Sequence, residues 1–255
     1  MKRAWIVCRR ELGSYFSSPI AWLLLLMYSV IFGWFFWNYV SHFLVVQNEM
    51  QMMGRSAHMN IDQQIVRPLL ANTAFLELFF IPLISMRLFA EEKRNGTIEL
   101  LATSPIRDIE VILGKWFAAV LLYCWLLFFT GLNFAFLFRY GNPDWHTIAV
   151  GYLGIVLQGA ALLAVGTFLS TLTKNQIVAA ASTFGACLML WVFSWVSSYN
   201  SATWAHILSY ISVVPHAESF SRGVIASKDL VYYLSVIFLG LFFTTRSMES
   251  IRWRS

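Results

Sequence analysis

The sequence predicts an all-α membrane protein, and two observations carry this prediction. Of its 255 residues, 58% are apolar and only 12% are Asp, Glu, Lys or Arg, which is too little charge to cover the surface of a soluble domain. The chain also contains several apolar stretches of about 20 residues, the length at which a helix crosses a ~30 Å hydrocarbon core. We expect residues 1–255 to form a single membrane domain.

Six apolar stretches are predicted as membrane spans. The second is unusual because Pro82 is expected to interrupt it and because it carries Glu77, and the sixth is short. The spans are predicted at residues 20–40, 69–89, 113–138, 148–172, 177–197 and 230–245.

Basic residues set the expected orientation of these spans. We assign residues 1–18, 87–115, 172–177 and 246–255 to one side of the membrane. Together these segments hold 13 of the 18 Lys and Arg residues. Because basic loops stay in the cytoplasm, we expect both termini there. The net charge of +5 then reflects topology and attraction to anionic lipids. No basic patch indicates nucleic-acid binding.

Residues 2–16 have the pattern of an amphipathic helix. Their apolar stripe consists of Trp5, Cys8, Leu12, Tyr15 and Phe16, with arginines opposite. This pattern is typical of a helix that lies in the membrane interface. A simple basic anchor for the first span explains it equally well.

Residues 198–229 predict a second irregular element. No charged residue occurs from Asn175 to Ala217, a stretch too long for one span and too short for two. Helical spacing continues to Val214, and Pro215 is expected to break it. We predict a re-entrant helical hairpin on the outer face, packed against protein; a helix on the lipid surface is the alternative.

Catalytic and metal-binding motifs are absent from the sequence. It contains no phosphate-binding loop, no Gly-x-Ser-x-Gly, no His-Glu-x-x-His and no Cys-x-x-Cys. We therefore expect no enzyme activity and no metal site. The three cysteines have no disulfide spacing, and the histidines are interpreted as interface side chains.

Glu77 is the one carboxylate inside a predicted span. A charge near the bilayer centre is costly, so this side chain should face the helix bundle or a water-filled space. It is a candidate for the translocation path, and a structural hydrogen bond to a neighbouring helix is an equal alternative.

The densest charged segment, Arg87–Arg107, separates the second and third spans. It reads RLFAEEKRNGTIELLATSPIR and is followed by Gly114-Lys115. Together with six spans and a basic amphipathic start, this motif resembles the type-2 ABC transporter permease family over nearly the whole chain. Residues 220–234 and the basic tail 250–254 resemble its gliding-motility-associated branch most closely.

The resemblance implies a coupling helix in residues 90–106 that docks in a groove of a separate ATP-binding subunit. The residues it assigns to that role are Glu91, Glu92, Arg94, Gly96, Thr97, Glu99 and Leu100. ATP and Mg²⁺ would then be bound by the partner ATPase. We expect Glu92→Lys or Gly96→Val to uncouple ATP hydrolysis without unfolding the permease.

The implied assembly contains two permease chains and two ATPase chains in the bacterial inner membrane, and export is the expected direction. An auxiliary membrane protein with a periplasmic domain is a further expected partner. One alternative is a force-transmitting scaffold that acts on such a periplasmic partner. A secondary transporter or channel is another, disfavoured because the spans hold few charges for ion coupling.

Overall fold

In the computed structural model, which describes residues 2–53, 60–98, 107–198 and 203–252, almost every residue is helical and no strand occurs in these ranges. Six helices are long and apolar enough to cross a membrane, which confirms the predicted fold class. The helices are α1 (Lys2–Ser17), α2 (Pro19–Met52), α3 (Arg67–Ser85), α4 (Ala90–Asn95), α5 (Asp108–Tyr140), α6 (Trp145–Leu172), α7 (Gln176–Ser198), α8 (Thr203–Ile211), α9 (Val214–Ser221) and α10 (Ser227–Arg252).

The helices extend well beyond the apolar stretches that predicted them. Helix α2 continues to Met52, because the polar residues after the first span also fit a helix. A π-helical turn, Asp62–Val66, leads directly into α3. Helix α3 passes through Pro82 without a break, so this proline does not interrupt the second span.

Helix α6 forms the centre of the bundle. It packs against α3, α5, α7, α9 and α10, and its side chains are buried around most of its circumference. At the crossing with α10, a Cβ on Gly240 would lie 2.8 Å from the backbone of Ala164. The two helix axes approach closely here because only hydrogen occupies this position.

The bundle has two ends that differ in charge. The basic end comprises 2–18, 87–98, 107–115, 172–176 and 246–252, and the opposite end holds the α5–α6 turn, the π-helical turn, α8 and α9. At the opposite end, Asp144 caps α6 by accepting hydrogen bonds from Thr147 Oγ1 (2.7 Å) and the amide of His146 (3.1 Å). These bonds lower the pKa of the Asp144 carboxyl group, and the bond from the Thr147 hydroxyl contributes most.

The predicted helical hairpin corresponds to α8 and α9. The break falls at Ser212–Val213, and Pro215 lies in the first turn of α9, so this proline begins a helix and does not end one. Helix α9 packs on α6, where Phe220 is only 1% exposed. The hairpin therefore has one arm inside the helix bundle.

The amphipathic helix α1 is present, but its apolar stripe faces protein. Cys8 and Tyr15 are 1% and 7% exposed, whereas Trp5 is 62% exposed. Helix α1 follows α5 from Gly114, where a Cβ would lie 2.7 Å from Ala4 O, to Trp125, whose ring lies 6.2 Å from that of Phe16. Burial raises the pKa of the Cys8 thiol.

Candidate functional site

The candidate site is the surface at the basic end formed by α4 and the residues that follow it. Helix α4 ends at Gly96, whose φ of 72° lies in the left-handed region that favours glycine. The side chains of Arg94 and Thr97, on either side of the turn, are exposed. We call residues 94–97 the α4 tip, and it presents a short, sharply turned surface beyond the bundle.

The base of α4 is held firmly to the bundle. Ser170 Oγ on α6 accepts hydrogen bonds from the amides of Phe89 and Ala90, both at 3.1 Å. Lys93 Nζ donates to the carbonyl oxygen of Thr171. A displacement of α4 would therefore be transmitted directly to α6.

The two acidic residues at the start of α4 form internal ion pairs. Arg87 Nε lies 2.9 Å from Glu91 Oε2 one helical turn away. Glu92 Oε1 lies 2.9 Å from Lys115 Nζ on α5. Neither carboxylate belongs to the α4 tip.

Lys115 is the centre of a buried charge cluster that joins three helices. Its side chain is only 2% exposed, and Nζ also lies 3.1 Å from Glu11 Oε1 of α1 and 5.4 Å from the centre of the Phe89 ring. Arg10 approaches Glu92 at 3.8 Å. We call Lys115, Glu92 and Glu11 the Lys115 cluster; it fixes α1 and α4 to α5.

This placement changes one expectation from the sequence. Glu92→Lys was expected to leave the fold intact, but it would bring a second ammonium group close to buried Lys115 and leave Glu11 as the one carboxylate of the cluster. Glu92→Lys would therefore perturb the packing of three helices. It does not test docking alone.

The structure brings together only part of the predicted coupling set. Arg94, Gly96 and Thr97 lie on the α4 tip, whereas Glu91 and Glu92 lie at the base of helix α4. Glu99 and Leu100 fall outside the described residues. Their roles in coupling stay predictions.

Glu77 lies in the interior of the bundle and not on a lipid-facing surface. It is 0% exposed, and Tyr123 on α5 donates a 2.5 Å hydrogen bond to Oε1. Oε2 has no hydrogen-bond partner in the described part of the chain. A buried carboxylate without a cationic partner marks a site where polarity is retained at a cost, and its place on a translocation path remains a prediction.

His216 is a polar site that the sequence did not reveal. It is 4% exposed; its Nε2 lies 2.9 Å from the carbonyl oxygen of Tyr210, and its Nδ1 lies 2.6 Å from Asp229 Oδ1. Because a carbonyl only accepts, Nε2 is the donor there, and the Nδ1–Oδ1 contact shares a single proton. The signal available in the sequence was Asp229, an acidic residue at the start of the last span.

No metal centre accompanies these polar groups in the part of the chain that the structure describes: it contains no cluster of three or more His, Cys, Asp or Glu side chains able to hold an ion. The three cysteines are free thiols.

The fold and this surface define a multi-pass membrane protein that has, among its described residues, six apolar helices and a short helix braced against the basic end of the bundle. Residues 5–243 match the family described as "ABC-2 family transporter protein", and the chain belongs to this family. It is thus the membrane subunit of an ABC transporter, a permease, and not the catalytic subunit. A search of curated proteins finds no match.

Proposed function

We propose that this chain is the permease subunit of an ABC exporter in the bacterial inner membrane, with its basic end in the cytoplasm. A separate ATPase subunit docks on the α4 tip and supplies ATP and Mg²⁺. Two permease chains and two ATPase chains form the complex. Membership of the gliding-motility-associated branch is part of this proposal.

The observation that carries the proposal is the structure of α4. A helix of one and a half turns could not hold its shape in water by itself. Here it is fixed at its base by Ser170 and Lys93, while Gly96 makes a left-handed turn at its exposed end. Such an element can receive a push at the tip and pass it to α6.

Charge at the tip provides the test. Arg94 is exposed, and its substitution leaves the Lys115 cluster intact. We expect Arg94→Glu to reduce recovery of a co-purified ATPase, and the stimulation of its activity, by roughly tenfold or more, because a reversed charge at an interface is repulsive. Arg139→Glu, an exposed arginine at the opposite end of the bundle, is the matched control.

The measurement is affinity purification of the tagged chain from its native membrane in mild detergent, followed by mass spectrometry. An ATPase that is lost with Arg94→Glu and retained with Arg139→Glu supports docking at the tip. Recovery of the intact chain alone in repeated preparations would contradict the proposal and favour a channel or secondary transporter.

A further inference from the structure

A cavity of about 360 Å³ lies toward the opposite end of the bundle, between α3, α6, α7 and α9. Its wall is mainly apolar, with Leu70, Phe75, Ile155, Trp191 and Val214 among the lining residues. The volume is in the range of small-molecule binding sites, at its lower end. The α4 tip and the Lys115 cluster contribute nothing to this wall.

Beside the cavity lies a polar depression that we call the mouth. Ala71, Glu218 and Ser221 line both spaces, so the two adjoin. The mouth adds Arg67 and Arg222. One end of the combined space is therefore charged, and the other is apolar.

The mouth carries one positive charge in excess. Glu218 on α9 forms an ion pair with Arg222, which follows the end of that helix, so their charges offset each other. Arg67 has no ion-pair partner among the described residues, and its Nε is buried without a hydrogen bond. Arg67 also lines the mouth, where the rest of its guanidinium group can pair with an anion.

The backbone beside Arg67 is also irregular. The π-helical turn Asp62–Val66 immediately precedes it, and Gln63 of that turn lines the mouth. Short π-helical segments occur frequently at functional sites, because the wider turn changes the direction of the side chains that follow.

We propose that this space binds an amphiphile with one alkyl chain and one anionic head group. The head group pairs with Arg67 at the mouth, and the chain fills the apolar cavity. The small volume fits one chain better than two, and the single excess charge matches one anionic group. This binding site goes beyond the proposed function, since it requires neither the ATPase nor transport.

The test is binding of defined probes to the purified full chain in a neutral maltoside detergent. Radiolabelled oleoyl lysophosphatidic acid carries the chain and the phosphate, mono-oleoylglycerol carries the chain alone, and glycerol 3-phosphate carries the phosphate alone. We expect saturable binding of the first probe, binding of the second weaker by roughly tenfold or more, and no measurable binding of the third. Equal affinity for the first two probes would overturn the proposal.

Two variants separate the two halves of the site. Arg67→Gln should remove the preference for the phosphate probe, while Ala71→Phe, at the junction of cavity and mouth, should weaken binding of both chain-bearing probes. Arg139→Gln and Ala135→Phe are matched controls at exposed positions on α5. Unchanged binding by Ala71→Phe would refute the cavity as the site of the chain.

Folding is controlled within the same experiment. Each variant is compared with the parent by its thermal unfolding midpoint in the same detergent. If Arg67→Gln is unstable, quenching of Trp191 fluorescence by a chain-brominated phosphate probe, against a variant with Trp191→Phe, reports occupancy of the cavity instead. Quenching that does not depend on Trp191 would count against the proposal.

Discussion

Removal of the Lys115 ammonium group should release α1 from the bundle. In Lys115→Met, Glu11 and Glu92 would lose their buried cation and keep only the exposed Arg10 as a shared cationic neighbour. Breaking a buried ion pair by removing one partner costs about 3–5 kcal/mol. Lys115 is 2% exposed, but the carboxylates keep 15% and 14% exposure, so solvent screening lowers the expected cost to about 2–4 kcal/mol.

Cys8 reports the release directly. Its side chain is 1% exposed on the face of α1 that packs against protein. In a background with Cys124→Ala and Cys187→Ala, a thiol reagent reaches Cys8 only when α1 opens locally. A cost of about 2–4 kcal/mol corresponds to labelling faster by roughly 30-fold to 700-fold.

The assay compares maleimide labelling rates at one pH, each divided by the rate for the denatured chain. Lys174→Met, which removes an exposed lysine at the same end, is the control and should label like the parent. Gly114→Ala should also accelerate labelling, because its Cβ would lie 2.7 Å from Ala4 O. Labelling of Lys115→Met within threefold of the parent would refute the conclusion that the Lys115 cluster holds α1 to the bundle.

Three further perturbations test polar contacts elsewhere. Asp144→Ala should lower the unfolding midpoint above pH ~4, where the carboxylate is charged in the unfolded chain too. Because the pKa of Asp144 is lowered in the folded state, the difference from the parent should disappear as the pH falls. A difference that does not depend on pH would contradict the capping role. His216→Ala should destabilise the chain by about 2–4 kcal/mol, because it leaves the buried Asp229 carboxyl group without its partner. Thermal unfolding measures this loss, and Asp229→Asn, which removes the charge, should be less destabilising. Tyr123→Phe should cost about 1–3 kcal/mol, because Glu77 Oε1 loses the hydroxyl that donates to it; an unchanged midpoint would contradict a stabilising role for this bond.

The six spans were predictable because their signal is local. A run of apolar residues identifies a span whatever its neighbours are, and the structure has a helix at each predicted place. Helix ends were less predictable: α2 continues to Met52, since polar residues extend a helix without adding hydrophobicity. The prediction that Pro82 interrupts the second span was wrong, because the helix continues through this residue.

The candidate site was predictable as a segment, but its exposed residues were not. The charge density and Gly96 indicated a turned element after the second span, and the left-handed turn is there. Which charges face outward depends on partners far away in sequence. Glu92 contacts Lys115 on another helix, and Glu77 meets Tyr123, 46 residues later. No spacing rule encodes such pairs.

The Lys115 cluster also sets an order for biosynthesis. Lys115 follows Glu11 by 104 residues, so α1 and α4 are synthesised before the lysine that joins them exists. A chain elongates from its N-terminus, and early segments wait for later ones. Until then α1 is left with the membrane surface, to which exposed Trp5 and Ile6 suit it. A ribosome-stalled chain that ends before residue 108 should therefore carry a reactive Cys8, and the arrival of the third span should protect it.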